Sequence, residues 1–337
     1  MFYCDLRRRR RWRVVAHSRL KTRKGWKRRQ RCRVCGRTFT PATGTVYARL
    51  RRSRSDFDRA AEMQSEGMSK AAIARVLHVA PSTVSRWLAK AGVHARAFHR
   101  KHAQMPDPVE FQLDELSCKG AGPARNAWAF SGVEVWSRLW VSLKVGNRTL
   151  RNTLHFVRQL KGVLGRLGGP VIVTTDGFKY YEPAMKRVFR GAPIVYVQVD
   201  NIYRRSGIVR SNATLIMGTA KLYQEAAERS EDSKRPNTSY VERMNLHKRM
   251  CCSMLRRRTP APARSPERLE EALELVRVIY NFVRGHSSLR FGKVKRTPAM
   301  QAGIFSRALT LREIFSWRAP QGSRWGRKVE GLLAECG

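Results

Sequence analysis

The sequence predicts a multidomain α/β protein, a mixed sheet core preceded by a basic, degenerate zinc-ribbon-like segment and a helix-turn-helix. Three observations carry that expectation. Basic residues dominate the first fifty positions. Between 56 and 92, apolar residues recur at helical spacing around two short polar breaks. From Glu110 onward, short β-rich runs give way to alternating strand and helix patterns, the signature of a mixed sheet. A chain of 337 residues has room for two or three domains of ~100–200 residues each, and 42% hydrophobic content suffices for a real core.

The charge balance narrows the partners. Lys and Arg number 68 against 25 Asp and Glu, a net charge of +43 that self-repels unless a polyanion neutralises it. Nucleic acid is the leading candidate. A membrane partner is disfavoured because no run of about 18 apolar residues occurs. Met1-Phe-Tyr-Cys-Asp-Leu6 leads straight into Arg7–Arg11 without the apolar stretch of a secretory leader. Seven cysteines, of which only Cys32 and Cys35 show C-x-x-C spacing, make a poor disulfide framework. The expectation is a soluble, cytoplasmic protein.

Residues 1–50 form the first unit. Within it Arg31-Cys-Arg-Val-Cys-Gly-Arg37 resembles one knuckle of a zinc ribbon, where the glycine permits the turn that aims two thiolates at one metal. A closed zinc site needs four ligands, and upstream only Cys4 and His17 are available. Two readings stay open: Zn²⁺ held by Cys32 and Cys35 with Cys4 and His17, or a vestigial ribbon whose core is Trp12, Trp26, Phe39 and Tyr47. Residues 51–93 read as three helices. Ser69 is placed to cap the second, Pro81 to open the third and Gly92 to stop it. Ile73, Val76, Leu77, Val79, Val84, Trp87 and Leu88 supply the core. Ser82, Thr83, Ser85 and Arg86 are left outward as candidate DNA contacts on a recognition helix. Residues 94–109 read as a linker.

The core is expected over 110–305, with an insertion at 201–237 and a C-terminal tail at 306–337. Asp114 and Asp176 each stand at an apolar β-rich run, and Glu242 heads a helix in Thr238-Ser-Tyr-Val-Glu-Arg-Met-Asn245. The bland reading of Glu242 is a capping box with Ser239. On that helix Glu242, Asn245 and Arg249 share one face, while Tyr240, Met244, His247 and Cys251 form a second stripe. Three carboxylates in a basic groove are what two Mg²⁺ (or Mn²⁺) ions need for phosphoryl transfer. Lys179, Arg243, Asn245 and Arg249 are candidate DNA contacts beside them, against the plainer reading of solvated helix residues. Asp200 and Glu115 are rival ligands; on a strand Glu115 and Asp114 point to opposite faces, so only one is expected in the site.

The ordered set Phe111-Gln-Leu-Asp-Glu115, Thr174-Thr-Asp-Gly-Phe-Lys179, Ser239-Tyr-Val-Glu-Arg243 with Asn245, Tyr280-Asn-Phe282 with His286-Ser-Ser-Leu289, and Arg296-Thr-Pro-Ala299 resembles the DDE transposases of bacterial insertion sequences. That resemblance implies a retroviral-integrase-like, ribonuclease-H-like catalytic core. Asp114 would lie on its first strand, Asp176 after its fourth, and Glu242 on a later helix. It also implies binding to the terminal inverted repeats of a mobile element, metal-dependent strand cleavage and strand transfer, action as a homo-oligomer on double-stranded DNA, and a bacterial, nucleoid-associated location. The alternative is a sequence-specific DNA-binding regulator built on an inactive transposase core.

Overall fold

The computed structural model describes residues 14–22, 25–164, 167–204, 207–230 and 235–318. Strands β1 (Val14–Thr22), β2 (Gly25–Cys32) and β3 (Thr38–Phe39) make a small antiparallel sheet. Three helices follow: α1 (Arg54–Ser65), α2 (Lys70–Val76) and α3 (Pro81–His102). Then come β4 (Glu110–Ser117), β5 (Trp128–Glu134), β6 (Trp140–Gly146), α4 (Leu150–Val163), β7 (Val171–Thr175), α5 (Tyr181–Val188), β8 (Ile194–Arg204), β9 (Gly207–Met217) and α6 (Ala220–Arg229). The last described elements are α7 (Ser239–Cys251), α8 (Pro266–Val278), a two-residue hairpin pair β10 (Arg290–Phe291) and β11 (Val294–Lys295), α9 (Pro298–Gln301) and α10 (Leu311–Ser316).

The main sheet has the order β6-β5-β4-β7-β8-β9. β4, β5 and β6 are antiparallel neighbours, β7 and β8 run parallel to β4, and β9 returns antiparallel to β8. The alternation of β4 separates two cores. Phe111 and Leu113 pack with Phe156, Tyr181 and Met185 of α4 and α5, while Leu116 packs with Val241, Met244, Leu273 and Val276 of α7 and α8. Each fully buried side chain of this size contributes roughly 1.5–3 kcal/mol.

The tri-helical unit begins as its sequence dictates. Ser53 Oγ accepts from the Asp56 N–H at 2.9 Å, Ser69 Oγ from the Ala72 N–H at 3.2 Å, and Pro81 opens α3. Ile73, Val84, Trp87 and Leu88 are buried, joined by Phe57; Val76, expected with them, is 52% exposed on the outer side of α2. Gly92 does not stop α3. A Cβ there would lie 2.2 Å from the Glu271 carbonyl oxygen, so this glycine serves a close approach of α3 to α8 rather than a helix end.

Three boundaries move for related reasons. Residues 94–102, expected as linker, are the second half of α3, where the buried His94 and His99 place Nε2 3.0 Å from Ile314 O and 3.1 Å from Trp140 O. The expected insertion at 201–237 is partly sheet: β8 runs on to Arg204, β9 pairs with it, and α6 packs Ala226 against Ile172, Val195 and Val197. An edge strand needs little apolar surface, so its sequence looks like a loop. Within 306–337, α10 buries Ile314 and Phe315, the latter edge-on to Phe57 at 5.4 Å.

In the ribbon-like sheet the Cys32 N–H donates to Arg37 O and its carbonyl accepts from the Gly36 N–H, both at 2.9 Å, with Gly36 at φ +70°. Trp26, a candidate for the core of a vestigial ribbon, is 65% exposed, and Tyr47 is buried by Phe57 and Phe315 instead. Trp12 and Cys4 lie outside the described residues.

Candidate active site

β7 pairs with β4 only from Glu110 to Gln112 and ends at Thr175. Beyond that end the flank of β4 is open, and Asp176 sits where the ladder stops. Asp114, Glu115 and Asp176 each bring a carboxylate oxygen within 4.8 Å of the others. Strand alternation still holds along β4, yet at the end of β7 both faces reach the same gap. The expectation that only one of Asp114 and Glu115 enters therefore fails for a local reason.

Each carboxylate is anchored differently. Asp114 Oδ1 accepts from the Glu115 N–H at 2.7 Å, and its Oδ2 accepts from Asn245 Nδ2. Asp176 Oδ1 accepts from the Phe178 N–H at 3.2 Å. Glu115 pairs with Arg148, whose guanidinium stacks 4.3 Å from the Trp128 ring and 4.0 Å from Phe178. Asp200 is exposed nearby, with Oδ1 2.9 Å from where a Cβ on Gly177 would stand, so the missing side chain makes room for it.

The electrostatics show a site short of positive charge. Burial, with repulsion from Asp176 adding to it, pushes Asp114 up to about 6 and Glu115 up to about 8; Asp176 is raised by burial first. Lys248 and Arg148 offset part of this. Lys248 is fully buried beneath Asp114, donates to Ser131 Oγ at 2.8 Å, and is lowered to about 8 by the same burial. Glu115 Oε2 is buried, with the buried Tyr181 hydroxyl beside it. Three converging carboxyls are a donor set that a hard divalent cation fits.

Helix α7 carries the rest, and β4 positions it. Buried Gln112 accepts the Tyr240 N–H at 2.8 Å and the Val241 N–H at 3.2 Å through Oε1, and donates to Asn237 Oδ1 at 3.1 Å. It satisfies two orphan donors of the first turn from another element. The capping box does not form: Thr238 precedes the helix without a side-chain cap and instead donates its hydroxyl to Glu242 Oε1 at 2.8 Å. The buried stripe is Val241, Met244, Lys248 and Cys251, so Tyr240 and His247 are only partly covered.

Glu242 is exposed and stands outside the acid cluster. It lines a groove of about 970 Å³ with Asn245, Arg249, Arg256, Arg257 and Arg284. Lys179 is exposed just after Asp176, its Nζ 5.0 Å from the Tyr180 ring, and Arg243 is exposed on another face of α7. On α3, Ser82 and Arg86 are exposed, and Thr83 and Ser85 half-buried. Cys32 is buried, Cys35 and His17 are exposed, and among the described residues they join no group of three or more metal-ligating side chains.

Sequence reasoning missed Gln112, Lys248 and Arg148. The first two lie two residues before Asp114 and three after Asn245, on the same faces, and that spacing was the available signal. Asn281 is structural: it clasps the Trp140 backbone, accepting its N–H at 2.9 Å and donating to its carbonyl at 3.0 Å.

Residues 61–92, from the end of α1 to the middle of α3, match the family described as the CENP-B N-terminal DNA-binding domain. No curated protein matches the chain. Among the described residues no helix is long and apolar enough to cross a membrane.

Proposed function

We propose that the chain is a DDE-type DNA transposase that binds the ends of a mobile element through α1–α3 and cleaves and joins strands at the carboxylate site. The observation that carries this reading is the convergence of Asp114, Glu115 and Asp176 at the end of β7, beside an arginine-lined groove. The match of residues 61–92 to a DNA-binding domain supports the first half of it. Three antiparallel strands followed by two parallel to β4 are similar to a ribonuclease-H-like core. The large positive charge supplies sequence-independent affinity, and Ser82, Thr83, Ser85 and Arg86 on α3 are placed to reach base edges.

Asp114 and Asp176 would hold Mg²⁺ or Mn²⁺, with Glu115 from within the cluster or Glu242 from α7 as the third carboxylate. Metal ions held there would supply Lewis-acid chemistry, lowering the pKa of the attacking water or 3′-hydroxyl and offsetting charge on the leaving oxygen. The chain's own residues prepare the site. Asn245 orients the Asp114 carboxylate, Lys248 supplies positive charge beneath it, and Arg249, Arg256 and Arg257 draw phosphates along the groove.

The test is nicking of element-end DNA with and without Mg²⁺. Asp114→Asn and Asp176→Asn should abolish cleavage while DNA affinity holds or rises, because each removes negative charge from a basic groove. Comparing Glu115→Gln with Glu242→Gln identifies the third ligand. Tight, sequence-selective binding with no cleavage by the native chain would instead leave a DNA-binding regulator on the same fold.

A further inference from the structure

On the opposite face of α7 from Glu242 and Asn245 lies a second cavity of about 260 Å³. Arg138, Tyr240, Arg243, Tyr280, Arg284 and Ser288 bound it, and none of the described residues lining it is acidic. Arg138 occupies the turn between β5 and β6 at φ +62°, a conformation that costs a non-glycine residue energy, and its guanidinium lies 3.8 Å over the Tyr240 ring. Arg243 is exposed and forms no ion pair among the described residues. Arg284 pairs across the groove with Glu66, the residue that follows α1. Burial pushes the Tyr280 phenol further above its ordinary value.

Arg138 and Arg243 at a concave surface without a lining carboxylate are the chemistry of anion recognition, and their planar forks match phosphate oxygens, while the Arg284 guanidinium is held on the groove side by Glu66 and Cys251. The cavity also adjoins the arginine-lined groove, because His247 and Arg284 line both. A strand lying in the groove can therefore cross α7 and set a phosphate several bonds away into this cavity. We propose that the cavity holds a backbone phosphate of the nucleic-acid strand passing over α7, with Arg138 and Arg243 as its principal donors. The inference rests on nucleic acid occupying the groove, not on any reaction there.

The experiment measures binding of the full chain carrying Asp114→Asn to a short duplex over a range of salt concentrations, with chelator present so that no cleavage intervenes. One lost duplex phosphate contact reduces the slope of log K against log salt by about 0.9. Arg138→Ala and Arg243→Ala should each weaken binding and flatten the slope, and the double variant should lose about 0.9 in total, since both hold one phosphate. Arg158→Ala, exposed on α4, is the charge control. Slopes for Arg138→Ala and Arg243→Ala no flatter than that control would overturn the proposal, as would a double variant losing twice the single-contact value. Arg243 is exposed, so its variant keeps the test valid should Arg138→Ala fail to fold. Unchanged slopes leave the cleavage reading standing, and absent cleavage in the native chain leaves the slopes informative.

Discussion

Glu115 illustrates what ionising a carboxyl costs in this site. Burial first, then Asp176, hold its pKa at about 8 against an ordinary 4.5, with Arg148 pulling the other way. The folded chain therefore keeps a proton that the unfolded chain has released. Stability from this group is full below pH 4.5 and is lost as pH rises through about 8. Glu115→Gln mimics the protonated acid, so it should match the native chain in urea midpoint near the acid end of that window and exceed it at the basic end. Added Mg²⁺ should raise the native melting temperature more at the basic end, and less in Glu115→Gln. A variant whose midpoint tracks the native one across the whole range would show that Glu115 ionises freely. Asp114 and Asp176 were legible as acids at the ends of β-rich runs. Glu115 was legible only as a rival to Asp114, because the alternation rule describes a strand with partners on both sides and cannot show where β7 ends.

At the scale of elements, the site depends on the docking of α7 against β4, and Gln112 controls it. Its carboxamide closes the first turn of α7 from a neighbouring strand, which sets Asn245 against Asp114 and Lys248 under Ser131. Gln112→Leu keeps the bulk but strands the Tyr240 and Val241 N–H groups, at a cost of roughly 1–3 kcal/mol for buried donors. The expected result is a lower urea midpoint, faster amide exchange at Tyr240 and Val241, and a larger loss of cleavage than of DNA affinity. Amide exchange at those two positions equal to the native rate would remove Gln112 from this role. The helix itself was readable from its spacing, and the capping box, the plainer reading of Glu242, does not form. Ser239-x-x-Glu242 fits a local capping box, whereas in the structure Ser239 N–H donates to Asn237 Oδ1, and the Tyr240 and Val241 N–H groups of the same turn go to a residue more than a hundred positions away. Local pattern cannot reveal a partner of that kind.

For the whole molecule, the helices ahead of the sheet share its core. One continuous apolar cluster runs from Val46 and Phe57 through Trp87 and Phe98 to Phe111, Phe282 and Phe315. The division into a helix-turn-helix, a linker and a catalytic core followed composition, and composition does not register that α3 continues past Gly92 to pack on α8. On that seam lies Gly92, where a Cβ would stand 2.2 Å from the Glu271 carbonyl oxygen. A main-chain oxygen cannot rotate away as a side chain can, so Gly92→Leu should force the helices apart at a cost of at least about 1–3 kcal/mol. Because the core is shared, the loss should appear in the entire fold: tryptophan fluorescence and far-ultraviolet circular dichroism should give one coincident transition in both proteins, shifted down in the variant. Two separated transitions, with only the first displaced by Gly92→Leu, would mean that the three helices fold apart from the sheet. Excising residues 56–92 is accordingly a poor probe of DNA reading, since it removes part of this core; Arg86→Ala on the exposed face of α3 tests the same surface and leaves the packing intact.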